Sequence, residues 1–195
     1  MAVIRVNPAS IVQYASFATQ QFERIRLDLQ LLTQDAVTVR YFGPNAVGFK
    51  TEIGQIAVDF SRALLKDLGQ IAEAVSLATS NIAHALGGAP VRIAVNGSPV
   101  AMPAVDAGDG AVDIDTAALE ELKPSVARRL GTVDAALQEH LARLEATDWQ
   151  GQAKLGAVEA VGRFTAAARA RTQETRASVA RSIDQQIQSV LAADR

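Results

Sequence analysis

Catalytic chemistry needs groups that trade protons, attack electrophiles or hold metals, and the chain offers few such groupings. It has two histidines, His84 and His140, and no cysteine. Disulfides and thiolate metal sites are therefore excluded. Each imidazole lies near the end of a different helical pattern, beside the apolar stripe rather than in it, which predicts rim or solvated positions. Neither belongs to a Glu-x-x-His or His-x-x-x-His spacing that would gather metal ligands on one helix face. No serine sits in a nucleophile elbow, and "GQAKLG" lacks the features of a phosphate loop. The expectation is a protein that is not an enzyme and needs no cofactor.

Charge is the next candidate for chemistry. Over the whole chain it is close to neutral, at −2, so no global basic field holds nucleic acid or an anionic membrane. Locally it is uneven. Asp106, Asp109, Asp113, Asp115, Glu120 and Glu121 form an acidic run that complements a helix N-terminus near Asp115-Thr116. Lys154, Arg163, Arg169, Arg171, Arg176 and Arg181 outweigh the acids on the last helical pattern. A solvated face is the expected reading of these bases, with nucleic acid not expected as a partner. The alanines around Arg169 and Arg171 suit a helical partner or self-association.

Helices must position whatever function exists. Aromatics make up only 5% of residues and alanine dominates the apolar half, a composition suited to closely packed helices. After Asn7-Pro8, a good capping pair, apolar residues recur in threes and fours from Ile11 to Val39. A second stripe runs from Phe49 to Leu86, with Gly87-Gly88 and Pro90 as its stop. A third runs Leu119, Leu122, Val126, Leu130, Val133, Leu137, Leu141 and Leu144, with Pro124 expected to kink or restart it. The fourth carries Leu155, Val158, Val161 and Phe164, thins through Ala, Thr and Arg, and resumes at Val179, Ile183, Ile187 and Val190. No stretch approaches the roughly 18 apolar residues of a spanning helix, and "MAVIRVNPAS" lacks the apolar core of about 7–15 residues found in cleaved signals. No membrane insertion is expected, and any export takes a route independent of a signal peptide.

The chain divides into a helical hairpin over 1–88 with a short β-like run at its start, a Pro/Gly-rich acidic linker over 89–113, and a second hairpin over 114–195. Within the linker, "VRIAVNGSPVAMP" with its Asn96-Gly97 pair predicts a small β-hairpin, placed to pair with the N-terminal "AVIRV". Each helical hairpin bends at an aromatic-x-Gly: Tyr41 and Gly43 in "RYFGPN", Trp149 and Gly151 in "TDWQGQ". The sequence offset from Tyr41 to Trp149 equals that from Gly43 to Gly151. Glycine permits the chain reversal and an aromatic can pack over the hairpin end. A partly exposed indole would alternatively be an interface anchor. The expected fold is all-α, two long antiparallel hairpins packed as a four-helix bundle. Helices of about 30 residues span about 45 Å, and about 25 extended residues reach up to roughly 80 Å, so the linker allows a head-to-tail arrangement.

"DWQG" between two amphipathic helices resembles the WXG family of small helical hairpin proteins, associated with type VII (ESX-type) secretion in Gram-positive and actinomycete bacteria. The second hairpin matches the pattern with Trp149 and Gly151, and the first matches a degenerate form with Tyr41 and Gly43. The resemblance implies a non-enzymatic interaction protein, a tandem version of the dimer that the family builds from two chains, with tethering making the pairing intramolecular. It also implies partners among helical proteins of that family or a secretion ATPase, with the four tip residues contributing to recognition. Export without a signal peptide is the implied destination, with the cytoplasm as the alternative. The family's Tyr-x-x-x-Asp/Glu tail signal is not matched, because Tyr14 and Tyr41 are followed four residues on by Ala18 and Asn45. The competing reading is a cytoplasmic scaffold that uses its long helical faces for self-association or partner binding.

Overall fold

A computed structural model describes residues 5–86, 90–106, 108 and 113–193. The Gly87-Gly88 stop and the side chain of His84 lie outside the described residues. The fold is all-α, with four helices among the described residues packed as a four-helix bundle. In chain order the elements are β1 (Arg5–Val6), α1 (Pro8–Thr38), β2 (Tyr41–Phe42), α2 (Pro44–Leu86), β3 (Asp113–Ile114), α3 (Thr116–Glu145), β4 (Trp149–Gln150) and α4 (Gln152–Ala193). Every element of the second half begins at one and the same sequence offset from its counterpart: Arg5 and Asp113, Pro8 and Thr116, Tyr41 and Trp149, Pro44 and Gln152. The duplicated architecture thus extends well beyond the two aromatic-x-Gly bends.

Two compact units make up the chain, and each of the four helices contributes a segment to both. The first unit takes Met1–Arg26, Ala63–Ser98 and Asp134–Ala170. It holds the antiparallel pair β1–β4, in which Val6 faces Trp149 and Arg5 faces Gln150. Its core includes Ile11, Phe22, Leu68, Ile71, Leu137 and Val161. The second unit takes Leu27–Arg62, Pro99–Val133 and Arg171–Arg195. It holds the antiparallel pair β2–β3, in which Tyr41 faces Ile114 and Phe42 faces Asp113. Its core includes Leu29, Leu32, Ile53, Leu130, Val179 and Ile183. In both units the tip of one helical hairpin pairs with the short strand leading into the other, so the hairpins run head to tail.

The helix starts follow from their caps. The Asn7 carboxamide oxygen accepts from the Ala9 N–H at 3.1 Å and Pro8 occupies the first helical position. The Asp115 carboxylate accepts from the Ala118 N–H at 3.2 Å. Each satisfies a donor that the helix ladder leaves free. The α1 stripe is buried as its periodicity predicts. Pro124 does not interrupt α3, which runs unbroken from Thr116 to Glu145. Proline there removes the bond its own N–H would have given and crowds the preceding turn, and the neighbouring ladder still carries the helix through it.

The α3 and α4 stripes are buried at most expected positions and differ at a few. In α3 the buried place one turn after Leu137 falls to His140 rather than Leu141. In α4 Leu155 is 61% exposed, and Ala157, Val161, Thr165, Ala168, Thr172, Thr175, Val179, Ile183 and Ile187 form the buried row. Threonines continue this stripe through the alanine-rich middle, with Thr165, Thr172 and Thr175 buried.

The expected β-hairpin does not form among the described residues of the linker, and the N-terminal run pairs with the Trp149 strand instead. In the first unit the linker backbone bonds to side chains: Ala94 N–H donates to Thr19 Oγ1 at 3.1 Å, and Ile93 is buried. In the second unit Val100 is buried and the Met102 methyl lies 2.8 Å from where a Cβ on Gly54 would stand. Asn96 does make a turn, accepting from the Ser98 N–H at 3.1 Å, but no ladder grows from it. Burying Ile93 and Val100 against helices removes more apolar surface from water than an isolated two-stranded ribbon would.

Gly43 and Gly151 are the reversal points, with φ of 116° and 126°. A side chain there is strained by about 1–3 kcal/mol. Gly131 lies inside α3, where a Cβ would meet nothing within 4 Å. Chemical denaturation should accordingly show Gly43→Ala and Gly151→Ala each losing about 1–3 kcal/mol, whereas Gly131→Ala gains roughly 1 kcal/mol.

Candidate functional site

The two helical-hairpin tips are the sites singled out by the sequence, and they belong to different units. In the first unit α3 ends at Glu145 and the chain passes through Thr147 and Asp148 to Trp149. Thr147 Oγ1 donates to the Leu144 carbonyl at 2.7 Å, and Lys154 Nζ donates to the carbonyls of Glu145 and Thr147 at 2.7 and 2.8 Å. A cation on the free carbonyls at a helix C-terminus is favourable. The lead-in strand then locks the tip: Asn7 N–H donates to the Asp148 carbonyl at 2.8 Å, and Asp148 N–H donates to Ser10 Oγ at 2.9 Å.

Trp149 is 1% exposed. Of the two readings of the indole, the one packed over the hairpin end holds and the partly exposed alternative is corrected. Its Nε1–H has no hydrogen-bond partner among the described residues. An unsatisfied buried donor of this kind costs about 1–3 kcal/mol.

In the second unit Tyr41 is 2% exposed and packs against Phe49, with ring centroids 5.9 Å apart. Its hydroxyl accepts from Gln186 Nε2 at 2.7 Å. Burial pushes the phenol pKa up, and the bond from Gln186 partly offsets this. Beside it Lys50 is 1% exposed, with Nζ 4.6 Å from the Phe42 ring centre. Desolvation lowers the Lys50 pKa and the Asp106 carboxylate acts against that. Sequence reading missed Lys50, because a lysine just after the aromatic-x-Gly bend reads as surface.

The tips carry a charge pattern that bears on pairing. Arg5 Nε lies 3.8 Å from Asp148 in the first unit, and Arg40 Nη2 lies 3.2 Å from Asp113 in the second. Asp113 is the counterpart of Arg5 and Asp148 that of Arg40, so the same two positions hold the two charges in opposite order. A hairpin paired with a copy of itself in this register would set Arg40 against Arg5, or Asp148 against Asp113. Exposed pairs contribute little, about 0–1 kcal/mol each, but like charges in those places disfavour the homotypic pairings.

Since both tip aromatics are buried, the side chains that a partner would meet at the tips are others. Leu155 is 61% exposed just after Gly151, and Ile114 is 37% exposed opposite Tyr41. Sequence periodicity placed Leu155 in the core stripe and so hid it.

His140 is the other departure. It is fully buried rather than on a rim. Its Nε2 lies 3.2 Å from the Tyr14 hydroxyl, its ring packs 4.9 Å from that of Phe22, and Nδ1 has no partner among the described residues. Burial lowers its pKa to about 4 and raises that of Tyr14. At the repeat offset, the corresponding positions in the second unit are Leu32 for His140 and Leu122 for Tyr14, both buried. The polar pair thus substitutes for a hydrocarbon pair.

Comparison with models of protein families, with curated proteins and with solved structures gives no match in any of the three.

The buried imidazole sets a pH dependence. Its folded pKa is below the unfolded value of 6.5. Between the two values the unfolded chain binds the proton and the folded chain does not. Stability is therefore full above about pH 6.5 and falls progressively as pH drops towards about 4, by about 3 kcal/mol. Tyr14→Leu combined with His140→Leu, which copies the hydrocarbon pair, should flatten that limb of a stability–pH curve. A limb unchanged in the double variant would show that other groups cause it.

Proposed function

We propose that the protein is a non-enzymatic interaction protein, a single-chain version of the hairpin dimers of the WXG family, carried by or working with a type VII secretion system. One observation carries the reading. Both hairpins bend at an aromatic-x-Gly whose glycine has positive φ, and each tip closes on the lead-in strand of the other hairpin at the same repeat offset. A dimer of family-like hairpins fused end to end would have this repeat. The like-charge arrangement expected of homotypic pairings supports the same reading, since it favours pairing of the first hairpin with the second.

The reading assigns the tip residues different tasks. Gly43 and Gly151 reverse the chain, and Trp149 and Tyr41 anchor each tip from inside. A secretion ATPase or a helical partner of the same family would then touch the exposed surround, including Leu155 and Ile114. No described helix is long and apolar enough to cross a membrane.

The test is export from a host that carries type VII machinery, compared with the same host lacking the secretion ATPase. The protein is expected in the culture medium only when the ATPase is present. Leu155→Glu is expected to reduce the exported amount severalfold while leaving the melting temperature unchanged. Retention in the cell in both hosts would overturn the secretion reading. Trp149→Ala is a poor probe, because emptying a buried indole site costs about 3–5 kcal/mol and mixes folding with recognition.

A further inference from the structure

The internal repeat allows each surface of one hairpin to be read against its counterpart. In the first unit, linker residues Pro90–Ala94 lie along the first hairpin. Val91 carbonyl accepts from Thr79 Oγ1 at 3.4 Å, Ala94 N–H donates to Thr19 Oγ1 at 3.1 Å, and Ile93 is 7% exposed. Ala15, Ser16 and Thr19 on α1 lie beside Pro90, Val91 and Arg92, and helical spacing puts Ile71, Ala72 and Val75 on the face of α2 that carries Thr79. Shifted by the repeat offset, these six become Lys123, Pro124 and Ala127 on α3, with Val179, Ala180 and Ile183 on α4. Those residues, together with Val126 and Arg176, line a groove of about 330 Å³ in the second unit. Every residue lining it comes from α3 or α4, and no described linker residue contributes to it.

The counterparts differ in a way that selects an occupant. Lys123 stands where the first hairpin has Ala15, and Arg176 where it has Leu68. Lys123 Nζ is held by Asp184 at 2.6 Å, whereas Arg176 has no ion-pair or hydrogen-bond partner among the described residues. Ala127 and Ile187 replace the two threonines that grip the linker backbone. An occupant is therefore held by an apolar side chain and by charge rather than by backbone bonds to side-chain hydroxyls.

We propose that this groove binds an extended peptide segment of a partner protein, with a branched aliphatic residue seated as Ile93 is seated in the first hairpin and an adjacent carboxylate on Arg176. The groove is of a size that takes such a side chain and its flanking backbone. The loss of the two hydroxyl contacts makes the binding weak, with Kd on the order of 0.1 mM. The inference concerns the second hairpin alone and does not depend on how the protein is carried.

The experiment titrates the full, isotope-labelled chain with a synthetic peptide of residues 90–97 bearing Arg92→Glu, followed by amide chemical shifts. Saturable shifts confined to the segments 123–127 and 176–183 are expected. Arg176→Glu, an exposed change, should weaken binding about tenfold, and the parent peptide with Arg92 should bind about tenfold more weakly. Absence of saturable shifts, shifts elsewhere on the chain, or equal binding of both peptides would overturn the proposal. Sedimentation of the free protein provides the remaining arm. A concentration-dependent dimer abolished by Arg176→Glu would assign the groove to a second copy and overturn the partner-peptide assignment.

Discussion

The structure depends on one local constraint, the reversal of the chain at Gly43 and Gly151. Both residues adopt a positive φ that side chains rarely tolerate. The reversal delivers the preceding aromatic inward and presents two residues of extended backbone to the lead-in strand of the other hairpin. Only two residues pair in each strand, which would be marginal in isolation. The paired residues survive because Trp149 and Tyr41 are almost fully buried on one side of them. Burial of an aromatic ring supplies more free energy than the short ladder does.

With the backbone plan repeated, the two halves are free to differ in side chains, and several of the differences come in contacting pairs. Tyr14 and His140 stand where Leu122 and Leu32 stand, so the hydroxyl–imidazole contact changed at both positions together. Phe17 stacks under the Arg143 guanidinium at 4.9 Å, while their counterparts Ser125 and Asp35 share a hydrogen bond of 2.9 Å. Asp35 also binds Arg129, whose counterpart is Gln21. Changing one member alone would leave a buried or half-buried polar group without its partner. Joint replacement keeps the helix spacing and changes only the chemistry of the contact. The exchange of charge order between Arg5–Asp148 and Asp113–Arg40 follows the same rule at the tips.

Much of the fold was legible because its determinants are periodic or local. The α1 stripe, the Asn7 and Asp115 caps and the glycine bends depend on residues close in sequence. His140 was not legible as core, because Leu141 beside it is the better apolar residue and only packing chooses between adjacent positions. In α4 the expected Val161, Val179, Ile183 and Ile187 are core, but the threonines between them were not legible because threonine has no strong periodic signal, and Leu155 was wrongly counted with them. The linker misled through a good turn pair, Asn96-Gly97, whose flanks found helices to pack on. At the tips the sequence located the bends and their aromatics. It offered both a packed and a partly exposed indole without deciding between them, because the strand that closes on Trp149 carries Val6, far away in sequence.

Crosslinking of the strand pairs tests the central claim most directly, and a chain without cysteine suits it. Arg5→Cys with Gln150→Cys places two thiols on directly facing residues of β1 and β4. Facing antiparallel residues lie about 4.5–5.5 Å apart at Cα, within reach of a disulfide. Mild oxidation of the dilute protein is predicted to close this pair within a single chain, giving a monomer of raised thermal stability. Crosslinked dimers, or thiols that remain reduced, would contradict a chain whose second hairpin tip closes on its own first hairpin.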